Sequence, residues 1–186
     1  MIYTIGYAGT NLERFVDILK SKNVDFLIDV RSIPKSQYFC QFNDTNLNKI
    51  LSNANIKYEN RKYEFGARQD NLDFYTNDIL DYKKFAESEQ FKNGLAKVQD
   101  LVNQNKTICL MCAEIDPVNC HRAILCGKEM AKFGLEVTHI IAKRNGETYF
   151  ETQSEFETRL LQLAKVNNLD EAYCKQNKKI GYKLTK

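Results

Sequence analysis

Apolar residues follow two alternating periodicities along this chain, which predicts strands and helices in turn. Short runs of apolar and β-branched residues are typical of strands. These runs cover residues 1–7, 25–31, 107–112 and 137–142. Between them, apolar residues recur every three or four positions, as in helices that bury one face. These helical segments lie within residues 12–19, 47–54, 91–102, 123–131 and 156–163.

Four segments have a weaker pattern. Residues 32–46 contain Pro34 and have no clear period, which predicts a long loop. Residues 56–63 predict a short strand, and residues 148–150 predict a short strand at a sheet edge. Residues 72–88 are mixed, and we expect helix in pieces there.

Three signals mark helix ends. Thr10 with Glu13, and Ser154 with Glu157, have the spacing of a capping box. Gly134 follows an apolar helical stretch, where glycine commonly ends a helix.

The order of these elements predicts an α/β fold. Alternating strands and helices form a mostly parallel sheet with helices on both faces. We expect a single domain over residues 1–166, followed by a flexible, lysine-rich tail over residues 167–186.

The composition agrees with one globular domain and indicates the cellular compartment in which we expect the protein. The chain has 186 residues, of which 43% are hydrophobic and 27% are charged. It contains no apolar stretch of membrane-spanning length, and its first residues lack the features of a signal peptide. We therefore expect a cytoplasmic protein that does not engage membranes, with its six cysteines present as thiols.

The charge is uneven. The net charge of +3 comes from 27 basic and 24 acidic residues, but the last fourteen residues carry five lysines and no acid. The remainder has 22 basic against 24 acidic residues, so the body is not a basic nucleic-acid platform.

Polar side chains follow two of the predicted strands. Asp29 and Arg31 lie at the end of one strand and on the same face of it. They can form a salt bridge that holds the following loop, or Arg31 can bind an anion with two hydrogen bonds. Another strand leads into Glu114, and Cys120, His121 and Arg122 precede the following helix. In open α/β sheets, ligands bind beyond the carboxyl ends of strands, so these residues are candidates for one cleft.

The cysteines allow several interpretations. Zinc bound by Cys109, Cys112, Cys120 and His121 is disfavoured, because Cys109 and Cys112 are three apart on a strand and face opposite sides. A redox pair of those two cysteines fails for the same reason. A phosphatase-like cysteine loop is disfavoured, because this segment contains no glycine and neither Cys112 nor Cys120 has the required spacing to Arg122. We expect Cys109 and Cys112 to fill the core, Cys109 to be inert and no zinc to be bound, while the role of Cys120 stays open.

Arg122 and the two histidines also have alternatives. Arg122 at a helix start can clamp an anion, the interpretation we favour, or brace the loop by pairing with Glu114 or Asp29. His121 has Cys120 and Arg122 as neighbours, which favours a functional role. His139 lies inside an apolar strand with no motif around it, so we expect it to be structural.

The order of these motifs resembles the DUF488 family. The residues that carry the resemblance are Thr4–Tyr7, Asp29–Arg31, Pro34, Ser36, Cys112–Glu114, Cys120–Arg122 and His139. The chain departs from the family pattern at Phe65-Gly66-Ala67-Arg68, where a second glycine is missing. The resemblance implies an α/β domain over about the first 145 residues and leaves the reaction open.

The leading hypothesis is an enzyme, of the hydrolase or transferase type, acting on an anionic, nucleotide-like substrate. Asp29 and Glu114 are candidates for general acid or base, with Cys120 and His121 completing the catalytic set. The expected substrate-binding residues are Tyr7, Arg31, Ser36, Arg68 and Arg122. Aromatic residues expected to stack a base are Tyr38, Phe39, Phe42, Tyr63 and Tyr75.

The alternatives are a nucleic-acid-binding or nucleic-acid-modifying protein and a non-catalytic binding module. Walker, G-x-G-x-x-G and G-x-S-x-G motifs do not occur in the sequence, which disfavours the corresponding enzyme classes. The sequence names no cofactor, assigns no metal site and leaves the oligomeric state open.

Overall fold

A six-stranded sheet forms the centre of the molecule in the computed structural model, which describes residues 1–184. Its strand order is β3-β2-β6-β1-β7-β8. The strands are β1 (Ile2–Gly6), β2 (Phe26–Asp29), β3 (Lys57–Asn60), β6 (Ile108–Cys112), β7 (Val137–Ala142) and β8 (Thr148–Thr152). Neighbouring strands from β3 to β7 pair in parallel, and β8 pairs antiparallel with β7 at the edge. The predicted mostly parallel sheet and α/β fold class are therefore confirmed.

Helices cover both faces of this sheet. The longer helices are α1 (Leu12–Ser21), α2 (Asp44–Asn53), α5 (Glu89–Asn103), α7 (Gln153–Ala164) and α8 (Leu169–Ile180), with shorter α3 (Lys62–Phe65), α4 (Tyr82–Ala86) and α6 (Lys128–Lys132). Leu27 and Cys109 point into the core under α1 and α2, whereas Ile28 and Leu110 point into the core under α5 to α8. Each central strand is thus buried on both sides, as expected of a covered parallel sheet.

Two helix caps lie close to, but not on, the predicted residues. Asn11, not Thr10, caps α1 by accepting a hydrogen bond from the Arg14 backbone N–H. The capping box of α7 is formed by Thr152 and Glu155, two residues before the predicted pair. Both predicted helices exist, and Gly134 follows α6 with a φ of 83°, the conformation that favours glycine at a helix end.

Residues 72–88 contain a small hairpin that the sequence pattern missed. The strands β4 (Tyr75–Thr76) and β5 (Ile79–Leu80) are two residues each, too short to carry a periodicity. The turn between them places Asn77 and Asp78 at positive φ, as a two-residue hairpin turn requires.

The helix predicted over residues 123–131 consists of two successive segments with different helical geometry. Arg122–Gly127 is π-helical, and α6 continues it as an ordinary helix. Such π-helical turns are rare and often lie at functional sites.

The C-terminal segment is part of the domain. Residues 169–180, placed in a flexible tail by the sequence analysis, form α8, in which Ala172 and Tyr173 are buried. The Asn177 side chain accepts a hydrogen bond from the Tyr82 N–H and donates one to the Leu80 carbonyl. Within residues 1–184, the helices are too short or too polar to cross a membrane.

Candidate functional site

The carboxyl ends of β1, β2 and β6 lie side by side and bring together the polar residues that follow them. Gly6 pairs with Cys112, and Asp29 pairs with Met111. Tyr7, Arg31 and Glu114 therefore extend from the same edge of the sheet, which we call the carboxyl edge.

Asp29 and Arg31 form a buried, two-pronged ion pair. Arg31 Nε lies 2.8 Å from Asp29 Oδ1, and Arg31 Nη2 lies 2.6 Å from Asp29 Oδ2. The Asp29 carboxylate also accepts hydrogen bonds from the Arg31 backbone N–H and the Tyr58 hydroxyl. Burial opposes ionisation of Arg31, but the contacts with Asp29 prevail and raise its pKa. With its acceptor positions occupied and no exposed surface, Asp29 serves to orient Arg31.

Arg31 also holds the loop after β2 against Tyr7. Arg31 Nη2 donates to the Phe42 carbonyl at 2.8 Å, while the Tyr7 ring stacks on Phe42 and lies 5.1 Å from the guanidinium carbon. Arg31 Nη1 is buried and finds no hydrogen-bond partner within residues 1–184. A buried donor of this kind is costly to leave unpaired.

Cys112, Cys120 and His121 form a compact, buried cluster, which we call the Cys-Cys-His cluster. Their ligand atoms all lie within 4.8 Å of one another. His121 Nδ1 is 3.9 Å from Cys112 Sγ and 4.0 Å from Cys120 Sγ. On the opposite side of the ring, His121 Nε2 lies 2.9 Å from the Val30 carbonyl, which can only accept a hydrogen bond. The proton on Nε2 therefore leaves the Nδ1 atom to interact with the sulfur atoms.

Burial and neighbouring groups shift the pKa values of Cys120, His121 and Glu114 in this part of the site. Burial opposes a thiolate at Cys120, but contacts with Cys112, Arg122 and His121 hold the pKa of Cys120 well below its usual value. Contact with Cys120 raises the pKa of His121 against the effect of burial. Desolvation of the carboxyl group and the adjacent Cys120 sulfur raise the pKa of Glu114, although the residue as a whole is exposed.

Arg122 has the contacts of a brace. It is fully buried, and its two terminal nitrogens donate to the backbone carbonyls of Glu114 at 2.7 Å and Ile115 at 3.1 Å. Gly6 allows this approach, since a Cβ at that position would lie only 1.6 Å from the Glu114 carbonyl oxygen. The anion clamp proposed for Arg122 from the sequence remains a prediction, and these contacts favour the alternative.

The remaining candidates from the sequence, Ser36, Arg68 and His139, lie outside the Cys-Cys-His cluster. The Ser36 hydroxyl accepts a hydrogen bond from the Phe39 N–H within the loop after β2. The Arg68 side chain is exposed, and its guanidinium lies over Tyr182. His139 is buried between Thr4 and Gln153, with a hydrogen bond on each ring nitrogen, as a structural histidine would be.

The aromatic residues expected to stack a base divide by exposure. Phe42 and Tyr75 are buried and cannot present a face to a ligand, which corrects that expectation. Tyr38 and Tyr63 are exposed, and Phe39 is partly exposed.

A groove of about 580 Å³ opens at the carboxyl edge, beside Tyr7. Its lining includes Thr10, Asn11, Arg14, Phe39 and Arg144, and the described lining residues carry no acidic group. The Ala8 N–H in its wall donates to the Ala113 carbonyl, one residue before Glu114. The sequence analysis missed Arg14 and Arg144 because each lies outside the strand-end motifs; only their positions after β1 and β7 pointed to this edge.

Comparison with known proteins identifies the family. The model of the domain of unknown function DUF488 matches residues 11–128. This chain belongs to the DUF488 family. The match contains the Asp29–Arg31, Cys112–Glu114 and Cys120–Arg122 motifs, so the resemblance based on them is confirmed. No curated protein and no solved structure matches the chain.

Proposed function

We propose that this DUF488 protein is an enzyme that acts on an anionic, nucleotide-like substrate at the carboxyl edge. The observation that carries the proposal is the charge of the groove: Arg14 and Arg144 line it without an acidic partner in the lining. An electropositive concave site favours phosphate or carboxylate groups.

The dimensions and the lining of the groove fit a ligand of nucleotide size. Ligand sites typically enclose about 300–1,000 Å³, and this groove has about 580 Å³. The partly exposed ring of Phe39 supplies an apolar surface for a base. Arg14 is already held by the Lys143 and Glu147 carbonyls, so Arg144 is the better candidate for direct contact with the anion.

Groups for proton transfer lie on the other side of the Tyr7–Gly9 turn. Glu114 is an exposed residue there, and we assign proton transfer to it because Asp29 is fully engaged with Arg31. The buried Arg31 adds positive charge behind Tyr7. The proposed reaction class is hydrolysis or group transfer, with the anion held in the groove.

Binding of AMP and of inorganic phosphate, measured by calorimetry, tests the anion site. Arg144→Gln should weaken AMP binding by about tenfold or more, because it removes a charge-assisted contact. Lys49→Gln, which removes an exposed cation from α2 outside the groove, is the matched control and should leave binding unchanged. Equal AMP affinity in all three proteins would contradict the proposal.

Turnover is tested separately, by screening nucleotides for hydrolysis or group transfer. For a substrate found in this way, Glu114→Gln should lower kcat by about 10²-fold or more, with the fold retained. Full turnover in that variant would remove Glu114 from the mechanism.

A further inference from the structure

The path of the chain around the Cys-Cys-His cluster brings together three groups that are separate in sequence. Cys112 ends the fully buried strand β6, and the turn Pro117–Asn119 reverses the chain so that Cys120 and His121 return to the strand end. The exposed fractions of Cys112, Cys120 and His121 are 4%, 1% and 7%. Two thiols and an imidazole are an unusual set to bury together without a common partner.

The distances within the cluster are close to those of a tetrahedral metal site. Ligands around zinc, at typical Zn–S and Zn–N bond lengths, lie about 3.5–3.8 Å from one another. Here, His121 Nδ1 lies 3.9 Å and 4.0 Å from the two sulfur atoms. The two Nδ1–sulfur distances would shorten by a few tenths of an ångström on binding, and the two sulfur atoms lie within 4.8 Å of each other.

The orientation of the His121 ring is that of a metal ligand. A ligating histidine usually donates its other N–H to a carbonyl or carboxylate, which fixes the tautomer. The Val30 carbonyl, 2.9 Å from His121 Nε2, is such an acceptor. It belongs to the residue that follows β2, so the sheet itself aims Nδ1 at the two sulfur atoms.

We propose that Cys112, Cys120 and His121 bind a zinc ion through two sulfur atoms and Nδ1. Three protein ligands leave one position of a tetrahedral site for water or another ligand, as in sites that take part in chemistry. Glu114 follows Cys112 by two positions and is an exposed residue next to the site. The proposal does not depend on the anion groove.

This site differs from the zinc site that the sequence disfavoured. Cys109 faces the core under α1 and α2, whereas Cys112 faces the core on the opposite side of the sheet, as predicted. The argument against a shared ion applies only to that pair. It does not apply to Cys112, Cys120 and His121, which the turn before Cys120 brings together.

Proton release gives the site a distinctive signature. A neutral cluster loses both thiol protons when the metal binds. A cluster with a Cys120 thiolate and a protonated His121 loses the imidazole proton and the Cys112 proton. Either starting state releases two protons per zinc ion, and calorimetry in buffers of different ionisation enthalpy measures this number.

The test uses the full chain, reduced, freed of metal and refolded with Zn²⁺ or Co²⁺. We expect one zinc per chain by elemental analysis, two protons released, and Co²⁺ spectra with a thiolate-to-metal charge-transfer band. Substoichiometric zinc in the wild-type chain, or a Co²⁺ complex without that band, would overturn the proposal. These measurements on the wild-type chain test the zinc proposal even if a variant fails to fold.

Variants locate the ligands. Cys120→Ser and His121→Gln should each lower zinc affinity by about 100-fold, since each removes one of three protein ligands. Cys40→Ser and Cys174→Ser, which change the exposed cysteines, should bind zinc like the wild-type chain. An unchanged charge-transfer band in a folded Cys112→Ser/Cys120→Ser variant would place the metal elsewhere and refute the site.

Discussion

Arg31 and Arg122 are both buried at the carboxyl edge, but their guanidinium groups are engaged differently. Arg122 directs both terminal nitrogens to the backbone carbonyls of one loop, whereas Arg31 pairs with the Asp29 carboxylate. Each keeps one buried nitrogen without a partner among the described residues, Nε in Arg122 and Nη1 in Arg31. The sequence gives each arginine the same type of context, a charged strand end or helix start. Only the folded loop distinguishes the brace, which is bonded to backbone carbonyls, from the arginine that is paired with a carboxylate.

Replacement of Arg122 by lysine tests this distinction. Lys carries one ammonium group and cannot span the two carbonyls, so Arg122→Lys should lower the free energy of unfolding by about 1.5–3 kcal/mol for the hydrogen bond lost. Urea unfolding measures the change, with the exposed Arg68→Lys as the control. Phosphate affinity should be unchanged. Normal stability combined with weakened phosphate binding would instead support the anion clamp.

The polar residues at the carboxyl edge were predictable as a set, but their contacts were not. Asp29, Arg31, Glu114 and His121 were placed at one edge because parallel strands end together. The approach of Cys120 and His121 to Cys112 depends on the turn at Pro117–Asn119, whose path no periodicity encodes. The assignment of Arg144 to the groove likewise depends on how the β7–β8 turn folds over Ala8.

Among the elements, those with long buried faces were predictable and those held by a few specific contacts were not. Every residue of β6 is buried, so its apolar run is unambiguous. The hairpin of β4 and β5 depends on Asn77 and Asp78 at positive φ, a signal of only two residues. Helix α8 has a lysine-rich exposed face that resembles a solvated tail, and its docking depends on a few side chains.

The start of α7 provides a test at this scale. The Thr152 hydroxyl accepts a hydrogen bond from the Glu155 N–H, so Thr152→Ala should destabilise the protein by about 1 kcal/mol. Ser154, the cap predicted from the sequence, lies exposed inside the helix. Ser154→Ala should therefore be nearly neutral in thermal unfolding. A larger loss from Ser154→Ala than from Thr152→Ala would contradict the observed helix start.

For the whole molecule, the buried His139 makes stability depend on pH. Burial and the nearby positive charge of Arg122 lower the pKa of His139 to about 3, and Gln153, Thr4 and Arg159 are its other polar or charged neighbours. The unfolded chain binds this proton near pH 6.5, whereas the folded chain does not until about pH 3. Between these values the unfolded state binds more protons, so stability falls as pH falls.

We expect this group to contribute a loss of up to about 1.4 kcal/mol per pH unit below pH 6.5, and nothing above it. Urea unfolding of the wild-type chain and of His139→Gln between about pH 7.5 and about pH 5, on either side of the ordinary histidine pKa, measures the two slopes. The variant should have the shallower slope. Parallel slopes would show that His139 does not control this dependence.

The close approach of the Glu114 carbonyl to Gly6 also restricts how the sequences of related chains can vary. Gly6 lies before the first residue of the family match, whereas Glu114 and Arg122 lie within it. A side chain at position 6 would collide with the loop that Arg122 holds in place. In related chains, the two positions are therefore constrained together: a chain that keeps this arginine and this loop must keep glycine at the end of its first strand. Where that glycine is replaced, we expect the loop and its arginine to differ as well.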